Sequence, residues 1–137
     1  MFFLGLVYSK ETVLNIIIYS FYDYDSVYYR GIESGFNEYS KQNGLNIRIQ
    51  LKVLTPENST SEFENYGAML DSYFSKKSNK YDIYFYYSAY SKKYANHFLN
   101  LRNYMPEKFF EGYDERILKE TCSSEDGELI ALVIYIY

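Results

Sequence analysis

The chain has 137 residues, enough for one domain with a core of its own. Its net charge is −4 and it carries no basic stripe, which argues against a nucleic-acid partner. One histidine and one cysteine offer no paired ligand spacing, so the sequence predicts neither a metal site nor a cofactor.

The N-terminal segment bears on the compartment. Residues 1–9, MFFLGLVYS, are apolar, and Val7 and Ser9 suit signal-peptidase cleavage after Ser9. The segment is short and lacks a positive start, so we interpret it as the remnant of a signal peptide. Asn58-Ser59-Thr60 is an N-glycosylation sequon, which has meaning only in a secreted protein. These signals predict a protein that is secreted or exposed on the extracellular face of the membrane, with Asn58 as the glycan acceptor.

The first two predicted elements are a buried strand and a helix. Residues 13–21 are nearly all apolar, the pattern of a strand covered on both faces in a parallel sheet. After a loop, apolar side chains recur at helical spacing at Tyr28, Ile32, Phe36 and Tyr39. The helix is predicted to end at Asn43-Gly44, because glycine readily adopts the left-handed conformation of a helix cap.

The next predicted strand and helix each have one apolar face. Apolar and polar residues alternate strictly over 45–53, which predicts a strand near a sheet edge with one solvent-exposed face. We expect Arg48, Gln50 and Lys52 to be exposed, and Ile47 and Ile49 to be buried. Ser61 and Glu64 form a capping box for a second long helix. Its predicted inward stripe is Phe63, Tyr66, Leu70, Tyr73 and Phe74.

The remaining elements complete an α/β pattern. Residues 81–87 are predicted to be a third strand, with Ile83 in the core. A helix is predicted over 91–101, short helices near Pro106 and over 114–121, and a final strand over 129–137. This alternation predicts an α/β fold: three layers, a mostly parallel sheet and helices on both faces. Residues 10–137 are expected to form one such lobe.

Three segments resemble one family. LNIIIYSFYD resembles the first strand and ligand loop of the family 1 extracellular solute-binding proteins. KYDIYFYYSAY is similar to the family's "sPDvfyvdsa" strand, with Tyr81 in place of proline. DGELIALVIYIY is similar to its "dGklyGlPvyid" strand, with Val133 in place of the hinge proline. FLNLRNYMP also resembles the "l.pLddy" run of the family.

The resemblance implies the N-terminal lobe of a type II periplasmic-binding-protein fold. Such proteins close two lobes on a solute, and the second lobe is absent from this chain. The partners it implies are that second lobe and a membrane component of a receptor or transporter. A truncated eukaryotic receptor-type member also fits. Self-association through the final strand is expected, because Ile134 and Ile136 would be exposed there.

Candidate ligand residues follow the first and third strands. Parallel α/β sheets bind ligands beyond the carboxyl ends of their strands. A carboxylate accepts hydrogen bonds from sugar hydroxyls, and tyrosine rings stack on the apolar faces of sugars. The alternative for the first loop is a helix-entry turn, and for Asp23 and Asp25 a phospho-acceptor pair, which Ser88 disfavours. The candidate ligand residues are Tyr22, Asp23, Tyr24, Tyr87, Ser88 and Tyr90.

The sequence therefore predicts a non-enzymatic solute-binding protein, with a carbohydrate or oligosaccharide as the ligand. No pair of carboxylates, and no nucleophile with a base, marks a catalytic site. The alternatives are a truncated fragment that binds no ligand, an interaction module that uses a tyrosine-rich face, and a small α/β enzyme. The single Cys122 is expected to be a buried thiol, or to pair outside this chain if the protein is secreted.

Overall fold

A computed structural model of the chain describes residues 10–22, 25–59 and 63–133. These residues divide into two compact units, with the boundary between Phe85 and Tyr86. The predicted signal-peptide remnant (1–9), the capping residue Ser61 and the end of the predicted final strand (134–137) lie outside the described residues. The first unit carries a sheet, and the second is built from short helices and turns.

The first unit contains a parallel three-stranded sheet. Its strands are β1 (Thr12–Tyr19), β2 (Ile47–Leu54) and β3 (Ile83–Tyr84), in the order β2-β1-β3. The register of β1 and β2 runs from Thr12 opposite Ile47 to Tyr19 opposite Leu54. The predicted α/β class and parallel sheet are confirmed. So are the central place of the first strand and the edge place of the second.

Burial along β1 explains its central place. Ile16, Ile17 and Ile18 are all buried, although successive strand residues point to opposite faces. Both faces of β1 are therefore covered, as a continuous apolar run predicts. On β2, Ile49 is buried and Gln50 and Lys52 are exposed, in line with the alternation. Ile47 and Arg48 are both half-buried, so the predictions of a buried Ile47 and an exposed Arg48 are not confirmed.

The two long helices are α1 (Asp25–Gln42) and α2 (Phe63–Ser75). On α2, Tyr66, Leu70 and Phe74 are buried, as the predicted stripe requires. On α1, the predicted stripe is largely exposed: the exposed fractions are 53% for Tyr28, 43% for Ile32 and 57% for Tyr39. The buried side chains of α1 are Tyr29 and Ser40 instead.

Hydrogen bonds to the outer edge of β2 explain why α1 is turned in this way. Asn37 donates from Nδ2 to the carbonyl oxygen of Ile49 (3.0 Å) and accepts from its N–H at Oδ1 (2.8 Å). The Ser40 hydroxyl donates to the carbonyl oxygen of Ile47. α1 therefore presents polar side chains to β2. An edge strand whose backbone groups are already paired is poorly placed to accept another strand.

The third strand is shorter than predicted. It covers only Ile83–Tyr84, and Ile83 is 41% exposed, so its predicted place in the core is wrong. The backbone N–H of Asn15 on β1 donates to the Asp82 carboxylate (2.7 Å), and the Asp82 N–H donates to the Asn15 carbonyl (2.8 Å). A side chain thus replaces part of the strand pairing where the predicted strand would begin.

The second unit has little extended structure. Its longer elements are α3 (Ser91–Tyr94) and α4 (Glu115–Thr121), and one-turn 3-10 helices occupy Ser88–Tyr90, Ala95–His97, Leu101–Asn103 and Glu107–Phe109. The predicted helix over 91–101 is interrupted at Phe98, which is extended (φ −115°, ψ 157°). The N–H of Leu101 bonds to the carbonyl oxygen of Leu129 (2.7 Å), and not to a carbonyl oxygen four residues earlier as it would in a continuous α-helix.

The core of the second unit forms around α4. Phe110, Leu118, Cys122 and Leu129 are packed together, and the Cys122 thiol is free and buried. Within 129–133, the predicted final strand makes only one antiparallel bridge, from Leu129 to Ser123, so a strand is not confirmed there. The N–H of Ile130 instead bonds to the carbonyl oxygen of Cys122 (2.9 Å), which holds the segment against the end of α4.

Candidate functional site

The loop after β1 brings one of its three predicted ligand residues to the surface. Ser20 is buried, and its hydroxyl donates to the carbonyl oxygen of Tyr22 (3.0 Å). The same hydroxyl oxygen accepts the N–H of Tyr22 at 3.3 Å, which closes a tight turn. Tyr22 is 57% exposed, while Asp23 and Tyr24 lie outside the described residues.

The other three predicted residues lie in one turn at the start of the second unit. Tyr87 is extended (φ −72°, ψ 136°), and its carbonyl oxygen accepts the N–H of Tyr90 at 2.8 Å. This bond closes the 3-10 helix Ser88–Tyr90, and we call residues 87–90 the 87–90 turn. Tyr87 is 45% exposed, Ser88 is exposed and Tyr90 is half-buried. The structure thus brings these three together, while Tyr22 belongs to the other unit.

An aromatic cluster packs against Tyr90 of the 87–90 turn. The ring of Tyr90 contacts that of Tyr94, with centroids 5.6 Å apart, and Tyr94 is only 1% exposed. Tyr94 meets Tyr86 edge to face at 5.9 Å, and Tyr86 stacks on Phe98 at 5.3 Å with an interplanar angle of 2°. Such ring pairs stabilise a defined geometry, so Tyr90 is held rather than free to rotate.

A cation completes this surface, and sequence reasoning missed it. The Lys93 ammonium lies 5.6 Å from the ring centroid of Tyr90 and 5.2 Å from that of Tyr94, within the range of cation–π attraction. Lys92 and Lys93 are both exposed. The signal was present in the sequence, because residues three apart on a helical turn are neighbours, as Tyr90 and Lys93 are.

Tyr86, a member of the aromatic cluster, has a buried hydroxyl group. Its Oη is inaccessible to solvent and makes no hydrogen bond to any of the described residues. Burial raises the pKa of the Tyr86 phenol, and the nearby Ser91 hydroxyl offsets part of the rise. The single hydroxyl proton of Ser91 is donated to the carbonyl oxygen of Thr121, so Ser91 cannot donate it to Tyr86 as well.

The predicted glycan acceptor has a structural role in the fold. Asn58 Nδ2 donates to the carbonyl oxygen of Val53 (3.1 Å), and its Oδ1 accepts the N–H of Thr55 (3.0 Å). The residue is exposed at the end of β2. A glycan would be attached to the nitrogen that makes the first of these bonds.

Tyr22, the predicted ligand residue that is described in the first unit, does not line either of two concave features of that unit. One cleft of about 480 Å³ is lined by residues that include Glu11, Lys41 and Arg48. A second, of about 530 Å³, includes Arg30 and Glu57. Both are bordered by charged side chains and by α1 and β2.

The described residues contain neither a cluster of metal-ligating side chains nor a membrane-spanning helix. Across 10–22, 25–59 and 63–133, no three or more histidine, cysteine, aspartate or glutamate side chains are grouped so as to hold a metal ion. No helix in this part of the chain is long and apolar enough to cross a membrane. Comparison with known proteins found no family model, no curated protein and no solved structure that matches the chain significantly.

Proposed function

We propose that the chain is a non-catalytic solute-binding lobe that holds a carbohydrate or oligosaccharide at the 87–90 turn. The observation that supports this most is the grouping of exposed Tyr87 and Ser88 with the half-buried ring of Tyr90 in one turn. A tyrosine ring offers an apolar face for stacking, and the hydroxyls of tyrosine and serine exchange hydrogen bonds with a polar ligand.

The wider context of the proposal comes from the sequence. We propose that the chain is one lobe of a two-lobe domain of the type II periplasmic-binding-protein fold. It would act outside the cell with a receptor or transporter component in the membrane. The resemblance of three segments supports this, and a parallel α/β sheet is compatible with such a lobe. When the 137-residue chain is tested by itself, one side of a bound sugar would remain exposed to solvent. We therefore expect dissociation constants in the millimolar range or weaker, which correspond to a binding free energy of roughly −4 kcal/mol or less favourable.

Replacing Tyr87 by alanine tests the site. Loss of one stacking ring should weaken oligosaccharide binding by about 1 kcal/mol, or roughly fivefold. Tyr104→Ala is the matched control, because Tyr104 is also an exposed tyrosine of the second unit but lies outside the 87–90 turn. Tyr22→Ala tests the loop after β1 separately. Binding is measured by NMR titration with a panel of neutral and acidic oligosaccharides.

Two results would reject the proposed site. One is the absence of binding to any sugar of the panel at tens of millimolar. The other is an equal loss in the Tyr87 and Tyr104 variants, which would show that the 87–90 turn has no special role.

The proposed location has its own test. Expression in a secreting eukaryotic host should give a chain whose mass falls after enzymatic removal of N-glycans. Thr60→Ala removes the sequon while keeping Asn58 and its hydrogen bonds to β2. A secreted wild-type chain without a glycan would contradict the assignment of Asn58.

The exposed stripe on α1 favours a second candidate function, a protein-interaction module. Tyr28, Ile32 and Tyr39 are all exposed, and their spacings of four and seven residues place them on one face of the helix. Light scattering of the wild type and of Ile32→Asp tests whether this face mediates self-association. A monomer at all concentrations would remove that form of the candidate.

A further inference from the structure

We propose that the sugar preferred at the 87–90 turn is acidic, a uronic acid or an oligomer of uronic acids, and that Lys93 determines this preference. The inference rests on the proposed function, because it names the ligand class of the same site. It depends on three observations: the position of Lys93, the local charge of the sequence and the hydrogen-bonding types of the turn.

The position of Lys93 puts positive charge at the rim of the ligand surface. Its ammonium lies within 5.6 Å of the ring centroids of both Tyr90 and Tyr94. Since Tyr94 is buried and Tyr90 is half-buried, the accessible part of this group is the Tyr90 ring with the ammonium beside it. A sugar stacked on that ring would have its substituents within reach of the charge.

The local charge of the sequence contrasts with that of the whole chain. The protein has a net charge of −4, yet no aspartate or glutamate occurs between Ile83 and Pro106. The same stretch contains Lys92, Lys93 and Arg102. An anionic ligand would therefore meet a locally positive segment on an acidic protein, and charge complementarity of this kind favours specificity.

The hydrogen-bonding types of the turn point the same way. A neutral sugar presents many hydroxyl donors and is well served by carboxylate acceptors. The side chains of Tyr87, Ser88 and Lys93 instead supply two hydroxyls and an ammonium, and an ammonium donates only. A uronate carboxylate accepts up to four hydrogen bonds, and those from charged donors are the stronger kind.

The expected preference is small. An ion pair at an exposed site contributes at most about 1 kcal/mol, which corresponds to roughly a fivefold difference in affinity. It should also decrease as salt is added, because exposed charges are screened. A stronger preference would require a more enclosed site than this turn provides.

The test compares trigalacturonic acid with its methyl ester, using the full chain. The two probes have the same ring faces and hydroxyls and differ in charge. NMR titration at low salt should show roughly three- to fivefold tighter binding of the acid. The difference should shrink at about 0.5 M salt. Lys93→Gln should abolish it and Lys93→Arg should retain it, because arginine keeps both the charge and the contact with the rings.

Lys108→Gln is the control for a general loss of positive charge, since Lys108 is an exposed lysine of the Glu107–Phe109 turn. Equal binding of acid and ester, with both weakened by Tyr87→Ala, would overturn the preference but leave the proposed function in place. Binding of neither probe nor any other sugar would overturn both. A preference that is retained in Lys93→Gln, or that is lost in Lys108→Gln, would show that Lys93 is not its source.

Discussion

Removing the hydroxyl of Tyr66 and that of Tyr86 should change the free energy of unfolding in opposite directions. Tyr66 donates from Oη to the carbonyl oxygen of Phe85 at 2.6 Å, whereas the buried Oη of Tyr86 makes no hydrogen bond to the described residues. Both rings pack against other aromatic rings. Tyr66→Phe and Tyr86→Phe therefore delete the same atom from similar surroundings, and each serves as the control for the other.

The magnitudes follow from hydrogen bonding. A net hydrogen bond contributes about 0.5–1.5 kcal/mol, and leaving a buried polar group unpaired costs about 1–3 kcal/mol. Tyr66→Phe removes a donor and leaves a carbonyl unpaired, so we expect a loss of about 1–2 kcal/mol. Tyr86→Phe removes a group already unpaired. Allowing for the small void left behind, we expect a gain of about 1 kcal/mol, or roughly 3–4 °C in Tm for a chain of this size.

Urea denaturation and thermal melts, each followed by circular dichroism, measure both changes. Alkaline pH gives a second readout. The pKa of Tyr86 is raised by burial in the folded state, so the phenol loses its proton more readily in the unfolded state, and the wild type loses stability as pH rises from the ordinary phenol pKa through the folded-state value. The Tyr86→Phe variant should therefore lose less stability than the wild type above about pH 10. Destabilisation by Tyr86→Phe as large as that by Tyr66→Phe would refute the reasoning, because it would mean that Tyr86 Oη is hydrogen-bonded.

Three further predictions concern the first unit, and all are measured by urea denaturation. Asn37→Ala should cost about 1–3 kcal/mol, because it leaves an N–H and a carbonyl at the edge of β2 unpaired. Gln42→Ala, which removes an exposed bond within α1, should cost less than about 0.5 kcal/mol, and equal losses would contradict the role of Asn37. Asp82→Ala should destabilise more than Asp82→Asn, whose amide oxygen can still accept the N–H from β1; equal losses would show that the charge matters more than the bond. Gly44→Ala should cost about 1 kcal/mol from its φ of +62° alone, since nothing lies within 4 Å of the added Cβ, and a neutral result would reject strain there.

Features that depend on a single local pattern could be predicted from the sequence. The apolar run through Ile17 determined a strand covered on both faces, and the alternation around Ile49 determined an edge strand. The cap at Gly44 was also predicted where the structure has it, with φ at +62°. Each of these signals comes from the period of a strand or from the backbone preferences of one residue.

The orientation of α1 needed the tertiary structure. Its sequence offers two faces, an apolar one through Ile32 and a more polar one through Asn37 and Ser40. Hydrophobic spacing favours the first. In the fold, the unpaired N–H and carbonyl groups of β2 have to be satisfied, and Asn37 and Ser40 do this from the second face. A helical pattern contains no information about which strand edge lies beside it.

The candidate site shows the same division. The sequence by itself predicted Tyr87, Ser88 and Tyr90 near the carboxyl end of a parallel strand. Only the tertiary structure decided how much of each side chain is exposed. It also decided that the third strand begins only at Ile83, since the Asp82 carboxylate takes a backbone partner that a strand starting at Tyr81 would have used. Such choices depend on hydrogen bonds between residues far apart in the chain, and no local pattern records them.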